Sequence, residues 1–321
     1  MVAISFERGN EAFCAEHGLD AATPPTLGDA LEQAHLALDK AALFFGHGSD
    51  SAWDEAVFLI LSACALPLDS GDSVLEQPLS DDSWQTALRW LQGRIDDRQP
   101  LPYLTGRAWF AGLEFYCDKR ALVPRSPLAE VIRNKYRPWW TDGAPTRLLD
   151  LCCGGGCIGI AAALYQPDLE VCIADIDGDA LSLADENIAR YELQDRVKSR
   201  QSDLMGALGD ERFDIILCNP PYVDAADLAS MPAEFQSEPP RGLGSGEDGL
   251  DMARRILRDA GQHLRSQGLL FLEVGNSWAA LDDELAAVSL TWVEFSEGGH
   301  GVLLVRAPEL PNIVKHLALA E

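Results

Sequence analysis

From about residue 128 onward the chain alternates short apolar runs with longer amphipathic stretches, and this alternation limits the possible folds more than any other feature. Strands are predicted at 147–151, 170–174, 197–201, 213–218, 268–273, 291–295 and 302–306, with helices between them, for example over 178–190 and 249–265. Alternation of this kind predicts an α/β, doubly wound sheet. Ligands of such sheets bind beyond the carboxyl ends of the strands. The residues that close each apolar run are therefore where chemistry is expected.

One of those strand ends is unusual. The run Phe213-Asp214-Ile215-Ile216-Leu217-Cys218 stops in Asn219-Pro220-Pro221-Tyr222. Pro220 has a fixed φ, and Pro221 biases Pro220 toward extended backbone. Neither proline donates a backbone hydrogen bond. The corner is thus stiff and offers acceptors, the Asn219 side-chain oxygen and the Pro220 carbonyl, with the flat face of Tyr222 beside them. A planar amino group, whether an amide or the exocyclic amine of a base, is what such a corner holds well. Pro and Asn are also ordinary turn formers, so the tetrapeptide by itself leaves a plain strand-ending turn open.

A second strand end carries glycines. Leu148-Leu149-Asp150-Leu151 leads into Cys152-Cys153-Gly154-Gly155-Gly156-Cys157-Ile158-Gly159, and Asp175 follows the next apolar run. Glycines allow close backbone approach, and the helix N-terminus that follows favours an anion. The anion is a pyrophosphate in an NAD enzyme and a carboxylate in a methyltransferase that uses S-adenosylmethionine. Asp175 takes ribose hydroxyls in both, so the loop alone does not separate them. Three neighbours do. Asp150 puts a carboxylate where a pyrophosphate is repelled and the amino and sulfonium end of a methionine is not. Ser202-Asp203 closes the third strand, where a carboxylate can accept from an adenine amine. Asn219 to Tyr222 closes the fourth. Together they describe a cationic adenosyl cofactor beside an amino-group substrate.

The first hundred residues have a helical period. Thr26 to Phe45 spaces Leu27, Leu31, Leu36, Leu38 and Leu43 as one face, and Gly46-His47-Gly48 interrupts it. Asp50 or Ser51 is placed to cap a second helix, with Asp54 and Glu55 in its first turn. A third, 81–97, is expected to bury Trp84, Leu88, Leu91 and Ile95. No catalytic constellation is visible there, and His47 reads as a cap or turn residue. Residues 100–127 alternate aromatics with glycines and are expected to form a β-hairpin linker. The domains expected are thus helical over 1–99, linking over 100–127 and catalytic over 128–321. The last ten residues, 312–321, read as a short helix.

Composition narrows the partners. The net charge is −26, which opposes bare nucleic acid, whose binding relies on Lys and Arg. It favours encounter with a basic partner, although acidity that serves only solubility stays open. No apolar run of about 18 residues is present, so no membrane span is expected. Met1 to Asn10 lacks a basic region followed by an apolar run, which argues against a signal peptide. The eight cysteines read as reduced thiols of a cytoplasmic protein. Cys153 and Cys157 have no CxxC pair elsewhere, so no metal is expected.

The order Asp150, Gly154-Gly155-Gly156, Asp175, Asp203, Asn219-Pro220-Pro221-Tyr222 resembles the HemK-type class I (Rossmann-like) methyltransferases, which methylate glutamine side-chain amides. The resemblance covers most of the chain. Arg98 to Gly106, Phe115 and Leu122 to Arg125 are similar to the family's linker, Glu238-Pro239 and Gly244 to Leu250 to the loop after the corner, and Glu273-Val274-Gly275 to its sixth-strand motif. Pro124-Arg125-Ser126-Pro127 and Gly46 to Ala56 are closer to the PrmB-type branch than to the release-factor branch. The resemblance implies S-adenosyl-L-methionine as cofactor and a glutamine of large-subunit ribosomal protein L-three as substrate. It implies catalysis by Asn219, Pro220, Pro221 and Tyr222, and cofactor contacts from Asp150, the three glycines, Asp175, Asp203 and Asn219. Substrate contacts are implied for Phe115, Arg125 and Tyr222. Relatives usually carry Ser or Thr at position 155, so Gly155 is a departure.

Overall fold

The computed structural model describes residues 11–141 and 143–318. The expectation for Met1 to Asn10 and the last three residues of the expected C-terminal helix lie outside that range. Two compact units form: one comprises the chain up to Arg107 together with Pro232–Ser237, the other Ala108–Met231 with Glu238–Glu321.

The first unit is helical. Its helices α1 (Leu27–Lys40), α2 (Ala52–Ala63) and α3 (Asp81–Ile95) start at Thr26, Ser51 and Ser80, whose hydroxyls accept from the backbone of Asp29, Asp54 and Ser83. Each such cap contributes roughly 1 kcal/mol by satisfying an N–H that has no partner within the helix. Helix α1 ends at Lys40, before the expected Phe45, and Ala42 then takes a left-handed conformation. Leu36 is exposed, contrary to expectation; the buried stripe is Leu27, Ala30, Leu31, Ala34, Ala37 and Leu38. Trp84, Leu88, Leu91 and Ile95 are buried as expected. His47 is buried with its ring 4.6 Å from that of Phe235.

The hairpin is shorter than the segment expected to form it. Pro100 to Thr105 instead contributes helix α4 (Leu101–Thr105), closed by Gly106 in left-handed backbone. Strands β1 (Arg107–Phe110) and β2 (Leu113–Tyr116) then pair across Ala111 and Gly112. Both turn residues have positive φ, as a two-residue hairpin turn with the strands' own twist requires.

After helix α5 (Leu128–Arg133) the second unit builds its seven-stranded sheet. The strands are β3 (Arg147–Leu151), β4 (Glu170–Asp175), β5 (Val197–Gln201), β6 (Phe213–Cys218), β7 (Leu264–Glu273), β8 (Thr291–Trp292) and β9 (Val302–Arg306), in the order β5-β4-β3-β6-β7-β9-β8. The first five are parallel, and β9 runs antiparallel to both β7 and β8. Helices α6 (Cys157–Tyr165), α7 (Gly178–Arg190), α8 (Ala225–Ser230), α9 (Asp251–His263), α10 (Trp278–Glu284) and α11 (Leu310–Leu317) connect or follow them. Two apolar layers cover the sheet, one around Ile160, Ile173, Leu217 and Phe271, the other around Leu149, Ile216, Leu270 and Leu303. Strand β7 begins earlier than expected and β8 ends earlier, at Trp292.

The strand order reverses between β3 and β6. There Leu151 pairs with Cys218, so the glycine loop and the Asn219 corner leave the sheet side by side. That is the crevice where an open parallel sheet binds ligands.

Candidate active site

The corner is fixed from several sides. Asn219 Nδ2 donates to the Arg125 carbonyl at 3.4 Å, which turns Oδ1 away; Oδ1 has no hydrogen bond among the described residues. No backbone N–H among them reaches the Pro220 carbonyl. The Tyr222 carbonyl accepts from Ser277 Oγ at 3.0 Å, and the Tyr222 hydroxyl donates to Glu273 Oε1 at 3.1 Å. The ring lies so close to Gly275 that an added Cβ there would meet Cε2 at 2.4 Å. Two acceptors without partners thus sit on a rigid, half-buried corner whose aromatic ring cannot swing.

Across the switch point, the glycine loop is held by carboxylates. Gly154 N–H donates to Asp175 Oδ2 at 2.8 Å and Asp177 N–H to Asp175 Oδ1 at 2.9 Å. Burial pushes the Asp175 carboxyl up, against the pull of those donors. Asp150 lies beneath the loop, fully buried. Its Oδ2 accepts from Gly159 N–H at 2.7 Å, tying down the first turn of α6. Its Oδ1 is buried without a partner among the described residues, and burial raises its pKa to about 8. A buried carboxyl oxygen of this kind beneath the loop suits a cationic ligand group, which favours its ionised form, better than a pyrophosphate, which opposes it. Asp203 stands exposed past the end of β5, paired with Arg255 at 2.8 Å.

Two residues expected to contact substrate have partners within the protein. Phe115 is completely buried, with its ring 5.5 Å from that of Tyr191. Alternation along β2 turns Phe115 inward and Tyr116 outward, so Phe115 supports the hairpin and has no surface to offer. Arg125 is engaged by Glu238 through two parallel bonds, Nη1 to Oε1 at 2.7 Å and Nη2 to Oε2 at 2.6 Å. Its guanidinium neutralises a buried carboxylate, and its carbonyl, not its charge, meets the corner.

Asn187 is a residue that sequence reasoning missed. It is fully buried on α7. Its Oδ1 accepts from Tyr116 N–H at 2.8 Å, and Nδ2 donates to the carbonyls of Tyr116 (3.2 Å) and Gly155 (3.0 Å). One side chain thereby joins the hairpin to the glycine loop. An Asn amid a helix gives no signal of this, since its partners lie far away in sequence.

Residues 139–288 match the family model described as "Methyltransferase small domain". The ribosomal protein uL3 glutamine methyltransferase of Francisella tularensis subsp. tularensis is 44% identical over 84% of this chain and 86% of its own length. That of Xanthomonas campestris pv. campestris is 45% identical over 89% of this chain and 92% of its own. The chain belongs to the uL3 glutamine methyltransferase family.

In this methyltransferase Gly155 and Gly156 differ in what a side chain would meet. Gly155 has ordinary φ, and an added Cβ would meet only Leu183 and Ala121 at 3.4 Å or more. Gly156 differs: its φ is +78° and a Cβ would lie 3.0 Å from Ala184. Gly155→Ala is expected to leave thermal melting unchanged or raise stability by about 0.4–1 kcal/mol through the unfolded chain. Gly156→Ala is expected to lose about 1–2 kcal/mol from left-handed strain alone. Melting curves of the two variants, with and without cofactor, check the contrast.

Proposed function

We propose that this methyltransferase transfers a methyl group from S-adenosyl-L-methionine to a glutamine side-chain amide of ribosomal protein uL3, the L-three protein of the large subunit. The observation that carries the reading is the pair of unpartnered acceptors, Asn219 Oδ1 and the Pro220 carbonyl, on a stiff corner beside the glycine loop.

The residues present fit the cofactor. Gly154, Gly155 and Gly156 offer backbone to it, and Asp175 is placed at the end of β4 for the ribose. The Asp150 oxygen without a partner suits its ammonium, and Asp203 is the acceptor assigned to the adenine amine. When bound, S-adenosylmethionine supplies an electrophilic methyl on a sulfonium centre.

A glutamine amide nitrogen is a poor nucleophile because its lone pair is shared with the carbonyl. Asn219 and Pro220 accept the two amide hydrogens, which fixes the nitrogen and favours its rehybridisation. Tyr222 packs on the amide plane. Positioning of this kind can lower a barrier by up to ~7–11 kcal/mol. No strong general base is needed, because the nitrogen becomes acidic as it gains the methyl.

We assign residues 1–99 to substrate recognition, 100–127 to linking and 128–321 to catalysis. The net charge of −26 suits a basic ribosomal protein met in the cytoplasm before assembly. Among the described residues no helix is long and apolar enough to cross a membrane. Labelled methyl transfer to purified uL3, release factor and nucleic acid tests the reading, with calorimetry against S-adenosylmethionine and NAD. Transfer to uL3 and binding of S-adenosylmethionine are expected; transfer to release factor or nucleic acid in place of uL3 would refute it.

A further inference from the structure

Glu273 ends β7 beside the corner and is 3% exposed. Its carboxylate is held by two neutral donors: Oε2 accepts from Ser126 Oγ at 2.6 Å and Oε1 from the Tyr222 hydroxyl at 3.1 Å. Ser126 also accepts from Leu128 N–H at 3.1 Å, which leaves its own proton for Glu273. The residue before Ser126 is Arg125, whose carbonyl holds the Asn219 amide. Both ends of the corner, Tyr222 directly and Asn219 through the 125–126 backbone, are therefore referred to one carboxylate.

We propose that Glu273 is a positioning residue for methyl transfer, holding Tyr222 and, through Ser126 and Arg125, Asn219 in the arrangement that receives the glutamine amide. The inference rests on the assignment of the corner as the amide site.

Stability alone does not account for this carboxylate. The titratable groups around it among the described residues are the Arg125 guanidinium, already engaged by Glu238, and two neutral groups, the Tyr222 hydroxyl on the corner and the Cys218 thiol on β6. Burial raises the Glu273 pKa to about 7 from 4.5, beyond what Ser126, Tyr222 and Arg125 offset. The folded state thus binds more protons than the unfolded between those values, and stability falls as pH rises from about 4.5 through about 7. Activity runs the other way. Only the ionised form accepts from both hydroxyls, so kcat rises with pH through about 7. A neutral side chain of the same shape removes the cost and the function together.

Glu273→Gln separates these effects in the full-length enzyme assayed on uL3. Expected are a kcat lower by about 10²-fold, an unchanged KM for S-adenosylmethionine, loss of the pH step in kcat, and melting at pH 8 at or above wild type. Ser126→Ala, which leaves Glu273 in place, is expected to lower kcat while keeping the step. Unchanged kcat in either variant overturns the proposal. So does parallel loss of kcat and thermal stability at pH 8 in Glu273→Gln, the mark of a merely structural residue. A wild-type enzyme that leaves uL3 unmodified refutes the substrate assignment instead, and the pH dependence of melting, wild type against Glu273→Gln, then decides whether the buried carboxylate opposes stability as stated.

Discussion

Replacing Asn219 with Ala is expected to reduce kcat for uL3 methylation by about 10²–10³-fold, roughly 3–4 kcal/mol of transition-state stabilisation, by analogy with loss of one preorganised polar group. The substitution removes one of the corner's two acceptors. It leaves Pro220 and Pro221 to keep the chain direction, and the glycine loop intact. Cofactor affinity is therefore expected to stay within a few-fold. Asn219→Asp is a sharper probe. It keeps an acceptor oxygen but sets a second one against the Arg125 carbonyl, where Nδ2 now donates at 3.4 Å. Its kcat should fall as well, because the orientation of the side chain and not only its oxygen is at stake. Single-turnover rates with purified uL3, together with calorimetric titration of the cofactor, separate the two quantities. A variant with wild-type kcat removes Asn219 from the mechanism.

The second large effect is expected in the helical unit. Arg94 on α3 is 1% exposed and holds Glu55 on α2 through Nε, at 2.9 and 3.1 Å. It also donates to Glu234 at 3.2 Å and to the Phe44 carbonyl at 2.8 Å. Burial raises the Glu55 pKa to about 7 even with Arg94 beside it, whereas Glu234, which also accepts from Phe44 N–H, is held below the usual carboxylate range. Arg94→Ala leaves two buried carboxylates without that cation. A cost of about 3–5 kcal/mol is expected. Loss of the cation raises the Glu55 pKa further and removes part of what holds the Glu234 carboxyl down. The added penalty appears as pH rises, because the folded state then binds more protons than the unfolded one. The deficit in urea denaturation should therefore be larger at pH 8 than at pH 5. A deficit independent of pH would show that lost packing, not charge, dominates.

The parts of this molecule legible in the sequence are those set by local chemistry. Strand β6 is visible because a strand buried on both faces reads as one apolar run. The start of the second helix is visible to within a residue, as Asp50 or Ser51, because a capping side chain serves an N–H two or three residues on. The Asn219 corner is visible because two prolines fix backbone wherever they stand. What was not legible depends on partners distant in sequence. Alternation in β2 shows that one face is buried but not which, so the burial of Phe115 is not legible. The pairing of Arg125 with Glu238, 113 residues later, is equally hidden. Asn187 and Arg94 fail in the same way, the latter with partners 39 and 140 residues away. Asp150 is intermediate: its place at the strand end was evident, but its depth beneath the loop follows from how closely Gly159 packs on Ile173 and on Asp150 itself.

The central claim is that the corner of Asn219, Pro220, Pro221 and Tyr222 presents a glutamine amide of uL3 for methylation. Its most direct test is to incubate the purified protein with S-adenosylmethionine and unmodified uL3 and then map the modified peptide by mass. The account predicts a single added methyl on a glutamine side chain of uL3, absent when Asn219→Ala replaces the wild type. Methyl on a different residue type, or uL3 left unmodified while a release factor or nucleic acid is methylated, contradicts it.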